Sequence, residues 1–344
     1  MLQLLEPHYD ITLAFLAPEA ALDDGCLAAH AGQDFAVLLC WQVLPPMPTL
    51  ARVGCRHMVF FPMFDQSGRW SREQWSPYRG LKIVSFSSTL ARQLRHWGFD
   101  AHYFQFFPEP GPALPPGDPH KAFFWNRNEK INLDTVTRLL SGSGVQDLHV
   151  HRALDPGQRF LPAGGPAAGQ LTLEFSQWFA TKAEMQAKIG ECALYFAPRK
   201  YEGIGMSFLE AMAMGRCVVA PDHPTMNEYI RHGVNGLLYN PKKPAPLSLD
   251  NLSRIQRQAR DFMVAGHAQW QAARTAIVPL LESPARTGSY RRWLFLGLVG
   301  LRFPFTRFMQ ARQWLFSIRV RPDGWKIRCC GLTWSRERPP REIR

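Results

Sequence analysis

The sequence predicts an α/β protein with two parallel-sheet domains, and three observations carry that prediction. Apolar strand-like runs alternate with helix-like segments before residue 106, and the same alternation resumes after residue 120. Between the two sets lies FFPEPGPALPPGDPH (106–120), with six prolines and two glycines in 15 residues. Proline fixes φ and has no N–H to offer a ladder, so this stretch reads as a connector.

In the first set, ITLAFLA (11–17), FAVLLCWQV (35–43) and HMVFFPM (57–63) read as buried strands. LKIVSFS (81–87) is a fourth, and STLARQLRHWG is the helix that follows, stopped by Gly98. In the second set, the strands are KAFFWN (121–126), LHVHRAL (148–154), LTLEFS (171–176), CALYFAP (192–198) and CVVAPD (217–222). Helices are expected near 132–141, 181–190 and 207–214. The resulting division is a first Rossmann-like domain over 1–108, a linker over 109–120, a second Rossmann-like domain over 121–282 and a tail over 283–344. Two such domains are expected to face each other across a cleft.

The composition, 46% hydrophobic and 20% charged over 344 residues, excludes a disordered chain. The seven cysteines (26, 40, 55, 192, 217, 329 and 330) form no C-x-x-C pair, which argues against a zinc module and for a reducing compartment. The start, MLQLLEPHYD, lacks the basic-then-apolar pattern of an export signal, and no stretch of about 18 apolar residues exists. A cytoplasmic protein is the expectation.

The stretch YEGIGMSFLEAMAMG (201–215) carries the chemistry. It puts Glu210 in an apolar run, eight positions after Glu202. A loop at the carboxyl end of a parallel strand is where open α/β sheets bind ligands. Gly203 and Gly205 let a ligand approach the backbone, and a helix starting near Ser207 offers free N–H groups to phosphate. A carboxylate in an apolar helix needs a partner, and the two hydroxyls of a ribose would serve. Ser207 and Glu210 also fit a capping box, so a purely structural reading stays open at this point.

The pattern E-G-x-G-x-x-x-x-E-A-M-A-x-G, followed by CVVAPDHPTMNEYIRHGVNGLLYNP, resembles the E-x7-E region of GT-B-fold glycosyltransferases of the GT4 type. The resemblance is specific over 193–241 and weaker over roughly 80–280. It implies a nucleotide-diphosphate sugar as donor, with the base, UDP or GDP, unresolved, and no cofactor. It implies that Glu202 contacts the donor sugar and Glu210 the ribose, with Gly203, Ile204, Gly205, Met206 and Ser207 approaching the diphosphate. From FFWNRNEK it assigns Arg127 and Lys130 to the phosphate, at a tighter spacing than the family's. Retention of anomeric configuration and a glycan or lipid-linked acceptor in surface polysaccharide synthesis are further implications. No D-x-D triplet occurs, so a metal clamp on the diphosphate lacks a motif and a metal-independent hexosyl transfer is expected.

The chain departs from the family at its start, which reads as the end of a helix and a second strand, without the usual first strand and Gly-rich loop. A catalytically inactive GT-B-like binding or scaffold protein is therefore the alternative. Where relatives carry a histidine, this chain has Met63, Phe64 and Asp65; His57 lies earlier. Asp65 is a candidate for acceptor contact or an ordinary loop cap. Arg199 and Lys200 are candidates for phosphate or acceptor, or exposed strand-end charges.

The tail holds nearly all the net charge. From Arg286 to Arg344 there are 14 Lys+Arg and 3 Asp+Glu, so +11 of the chain's +12 lies there. Its arginines flank Trp and Phe, which suits an anionic membrane surface at the inner face of the cytoplasmic membrane, or packing against the body. No nucleic-acid-binding pattern accompanies the basic residues, and no nucleic-acid partner is expected.

Overall fold

The computed structural model describes residues 1–14, 27, 29–30, 32–155, 157–161 and 171–286, together with the strands at 316–321, 324–329 and 332–337. The chain divides into two compact units, Met1–Arg286 and Thr287–Arg344.

The first unit contains two parallel sheets. Its opening part runs α1 (Leu2–Leu5), β1 (Asp34–Trp41), α2 (Met47–Leu50), β2 (Gly54–Phe61), α3 (Phe64–Ser67), α4 (Arg72–Trp75), β3 (Lys82–Ser85), α5 (Ser88–His96) and β4 (Asp100–Tyr103). The four strands pair in sequence order, β1-β2-β3-β4, all parallel. Helix α5 starts where the Ser87 hydroxyl accepts the Leu90 N–H, and it stops at Gly98, whose φ is +84°. Residues 11–14 are not a strand; residues 15–17 of that expected strand lie outside the described residues. The edge strand β1 is only partly covered, not buried as its apolar run implied.

The second part runs β5 (Asp118–Trp125), α6 (Leu133–Leu140), β6 (Asp147–His151), β7 (Thr172–Ser176), α7 (Lys182–Glu191), β8 (Cys192–Phe196), α8 (Met206–Ala213), β9 (Cys217–Pro221), α9 (Met226–Tyr229) and β10 (Leu237–Tyr239). The strands form one parallel sheet in the order β10-β9-β8-β5-β6-β7. Every residue of β8 and β9 is buried, as expected for strands covered on both faces, whereas the edge strand β7 is largely exposed. Strand order reverses between β5 and β8, and a crevice opens at the carboxyl ends of such a pair.

The Pro-rich connector can offer few N–H groups, so its carbonyls are held by arginines from the second part. Arg216, fully buried, donates to the carbonyl of Pro115 at 2.5 Å and also to those of Gly190, Cys192 and Met214. Arg260 donates to the carbonyls of Pro110 and Gly111.

The long helix α10 (Leu252–Ala273) then leads to α11 (Ile277–Glu282), which lies back on the first sheet. Trp270, Ile277 and Leu281 share one buried cluster with Val59, Phe61, Val84 and Phe86. Lys82, buried in β3, donates to the Ser283 hydroxyl at 2.6 Å and to the carbonyls of Leu280 and Ser283. Tyr9 donates to Glu282 at 2.9 Å, and the Arg286 N–H to Asp100 at 2.9 Å.

In the second unit, β11 (Phe316–Arg321), β12 (Gly324–Cys329) and β13 (Leu332–Glu337) form an antiparallel meander. Most of the tail assigned to a membrane surface lies outside the described residues. Among the described residues, no helix is long and apolar enough to cross a membrane.

Candidate active site

The carboxyl ends of β5, β6 and β8 bring three charged side chains together. Arg127 follows β5, Asp155 follows β6 and Arg199 follows β8. Arg127 donates to Asp155 Oδ1 from Nε at 3.0 Å and from Nη2 at 2.7 Å. Arg199 donates to Asp155 Oδ2 from Nε at 3.1 Å and from Nη2 at 2.7 Å. One carboxylate thus holds a guanidinium on each oxygen. The Arg127 guanidinium also lies 4.8 Å from the centroid of the Trp125 ring. From the first domain, Asp65 at the start of α3 stands 3.6 Å from Arg199 Nη1.

Glu202 sits at the start of the β8–α8 loop, only 7% exposed. Burial pushes its carboxyl up to about 7, against the pull of Arg199 and Arg127, while Asp65 and Asp155 add to the rise. Burial raises Asp65 as well, opposed first by Arg199. The loop continues through Gly203, which touches the first domain. A Cβ there would lie 2.9 Å from Met63 Cβ and 3.1 Å from Asp65 Oδ1, so only glycine lets the two domains close at this point. Ile204, half-buried, packs against the core shared by both domains.

Gly205 is the N-cap of α8, with φ +84°. A Cβ on it would lie 1.9 Å from the Phe208 ring. This cap settles the capping-box alternative: Ser207 lies inside the helix, and no side chain caps its start. The first N–H bonded within the helix is that of Leu209, to Gly205, so those of Met206, Ser207 and Phe208 stand at a positive helix end.

Glu210 lies one turn further along α8, half-buried, with a partner the sequence did not reveal. Lys182, at the start of α7, donates to it at 2.7 Å. The pair lines a cavity of about 280 Å³ between α7, α8 and the connector at Pro108 to Pro112. Lys182 is 62% exposed, so the pair is open to exchange with a ligand. Lys130 stands apart, exposed on the β5–α6 turn, its backbone N–H bonded to Asn128 Oδ1.

Just before Glu202, Tyr201 packs with His223, their centroids 5.0 Å apart. Arg69 from the first domain lies 4.9 Å over the same ring, and Lys200 Nζ 5.5 Å from it. Beside them, Glu228 joins the domains. It accepts from the Ser87 hydroxyl at 2.8 Å, the Ser88 N–H at 2.7 Å and the Thr89 N–H at 3.0 Å, at the start of α5.

Sequence reasoning missed Asp155 and the role of Glu228. An aspartate just past a strand's carboxyl end was the available signal for Asp155. For Glu228 the local sequence offers none, because its partners lie about 140 residues away.

Residues 157–257 match the profile of the family described as glycosyl transferases group 1. No curated protein matches the chain in sequence. Among solved structures, a glycosyltransferase from Rickettsia africae ESF-5 superposes with a TM-score of 0.52 at 12% identity, over 81% of this chain and 87% of that one. Anabaena HepE in complex with UDP gives 0.51 at 12% identity, over 80% and 88%. TarM gives 0.51 at 13% identity over 72% of this chain, which spans about half (55%) of TarM's length. With strand order reversing between β5 and β8 in its second sheet and these likenesses, the chain has the GT-B fold, and its residues 157–257 are similar to the glycosyl transferases group 1 family.

Proposed function

We propose that the protein transfers a sugar from a nucleoside-diphosphate sugar to an acceptor hydroxyl. The observation that carries this reading is Glu202, buried in the interdomain loop between a pair of forked arginines and the uncapped start of α8. HepE, which shares the fold, has been crystallised with UDP. Breaking the bond from the anomeric carbon to the diphosphate oxygen leaves charge on that oxygen. Arg127 and the N–H groups of Met206, Ser207 and Phe208 are suited to meet it, and Gly203, Ile204 and Gly205 form the backbone that approaches it. As the acceptor oxygen bonds to the anomeric carbon, its proton passes to the departing diphosphate. Glu202 holds a hydroxyl of the donor sugar, and Glu210 exchanges Lys182 for the ribose hydroxyls.

Retention of configuration, a hexosyl donor and a glycan or lipid-linked acceptor belong to the same proposal, as does an anionic membrane surface for the stretch from Arg286 to Arg344. Calorimetric titration with UDP-, GDP- and ADP-sugars, followed by NMR detection of released or transferred sugar, tests the reading. Binding of one donor with slow hydrolysis, abolished by Glu202→Gln, is the expected result. Binding without turnover under any acceptor would favour an inactive binding protein instead. Absence of binding would reject both.

A further inference from the structure

The following rests on the donor reading above. We propose that Arg199, rather than Lys130, is the second cation on the donor's diphosphate, and that Asp155 positions Arg199 and Arg127 as a matched pair. A guanidinium has five N–H groups. The side-on forks on Asp155 use only Nε and one Nη2 hydrogen of each arginine, leaving both Nη1 hydrogens and the other Nη2 hydrogen of each for a ligand. Asp155 therefore orients the two groups without consuming them.

It also makes their proximity tolerable. Two guanidiniums held near one another repel, and a shared carboxylate offsets that repulsion. Each arginine has a second restraint, Trp125 for Arg127 and Asp65 for Arg199. With side-chain exposures of 28% and 26%, both are already ordered before a ligand arrives. Both follow the two strands that flank the reversal of strand order, where a phosphate is expected. Lys130 is exposed on a turn three residues past Arg127, and its side chain would pay its ordering cost on binding. The Asp65 contact comes from the other domain, so the first domain helps to orient Arg199. Asp155 is a positioning residue, since it acts through the arginines.

The test is calorimetric titration of the full chain with UDP, and with GDP should UDP not bind. Arg199→Ala is expected to weaken binding about tenfold or more, and Lys130→Ala less than about threefold. Arg199→Lys should recover little, because an ammonium cannot make the fork. Asp155→Asn should lower the thermal midpoint and, at a temperature where the variant is still fully folded, weaken binding about tenfold, Asp155→Glu should restore part of that binding, and Asp155→Asn should add nothing to the binding loss in an Arg127→Ala/Arg199→Ala background. Where that background binds too weakly to titrate, the arginine Nε–H NMR signals decide. They should be sharp in the parent, broadened in Asp155→Asn and shifted by the nucleotide.

A loss at Lys130→Ala equal to that at Arg199→Ala would overturn the assignment. Asp155→Asn binding as tightly as the parent, or costing as much in the double-arginine background, would overturn the positioning role. Failure of the unaltered chain to bind any nucleotide would instead reject the donor reading itself, and this proposal with it.

Discussion

Glu202 is the side chain whose protonation the fold alters most usefully. Raised from 4.5 to about 7, it takes up a proton on folding between those values. Stability that this group contributes is therefore fully present below about 4.5 and declines as pH rises through 7, by an amount on the order of 3 kcal/mol at most. Glu202→Gln should flatten the fall in thermal midpoint between pH 5 and 8 in the unliganded protein, and parallel curves for parent and variant would contradict the shift. The two glutamates were legible because their motif is contiguous: strand, glycine loop and apolar helix all lie within about 20 residues. Asp155 was not, because its arginine partners lie 28 residues before and 44 residues after it, and only the strand order of the sheet brings them together. The Lys182–Glu210 pair escaped for the same reason, at a separation of 28.

Elements were legible where local chemistry decides them. Ser87, Asn132 and Thr181 each cap a helix with a side-chain oxygen, and the apolar runs of β8 and β9 could only be buried strands. β4 was not seen, since DAHY has neither an apolar run nor clean alternation and pairs only because β3 lies beside it. The start of α8 depends on Gly205. Gly205→Ala would be strained by its φ of +84° and would drive a methyl into Phe208. A loss of about 3 kcal/mol in urea unfolding, with a larger loss of nucleotide affinity, is expected. Helix α5 depends on the other domain, because Glu228 supplies an anion to its first turn and accepts three hydrogen bonds there. Glu228→Ala should cost about 2 kcal/mol, and Glu228→Gln less, measured by chemical denaturation. An unchanged midpoint for Glu228→Ala would mean that this contact forms without holding the domains.

At the scale of the molecule, one buried cluster takes residues from both sheets. The buried cluster that contains Phe61 and Phe86 also contains Trp270, Ile277 and Leu281, some 200 residues later. No periodicity in the sequence reports such a return. A chain stopped after residue 250 should leave one face of the first sheet bare and go to inclusion bodies or bind a hydrophobic dye strongly. A well-folded, monomeric product by chromatography and circular dichroism would refute this. The return of α11 also sets a timetable for the nascent chain. Residues that begin the first sheet leave the ribosome long before the helix that covers it, so the amino-terminal half must wait, apolar side outward, until synthesis has passed Arg286.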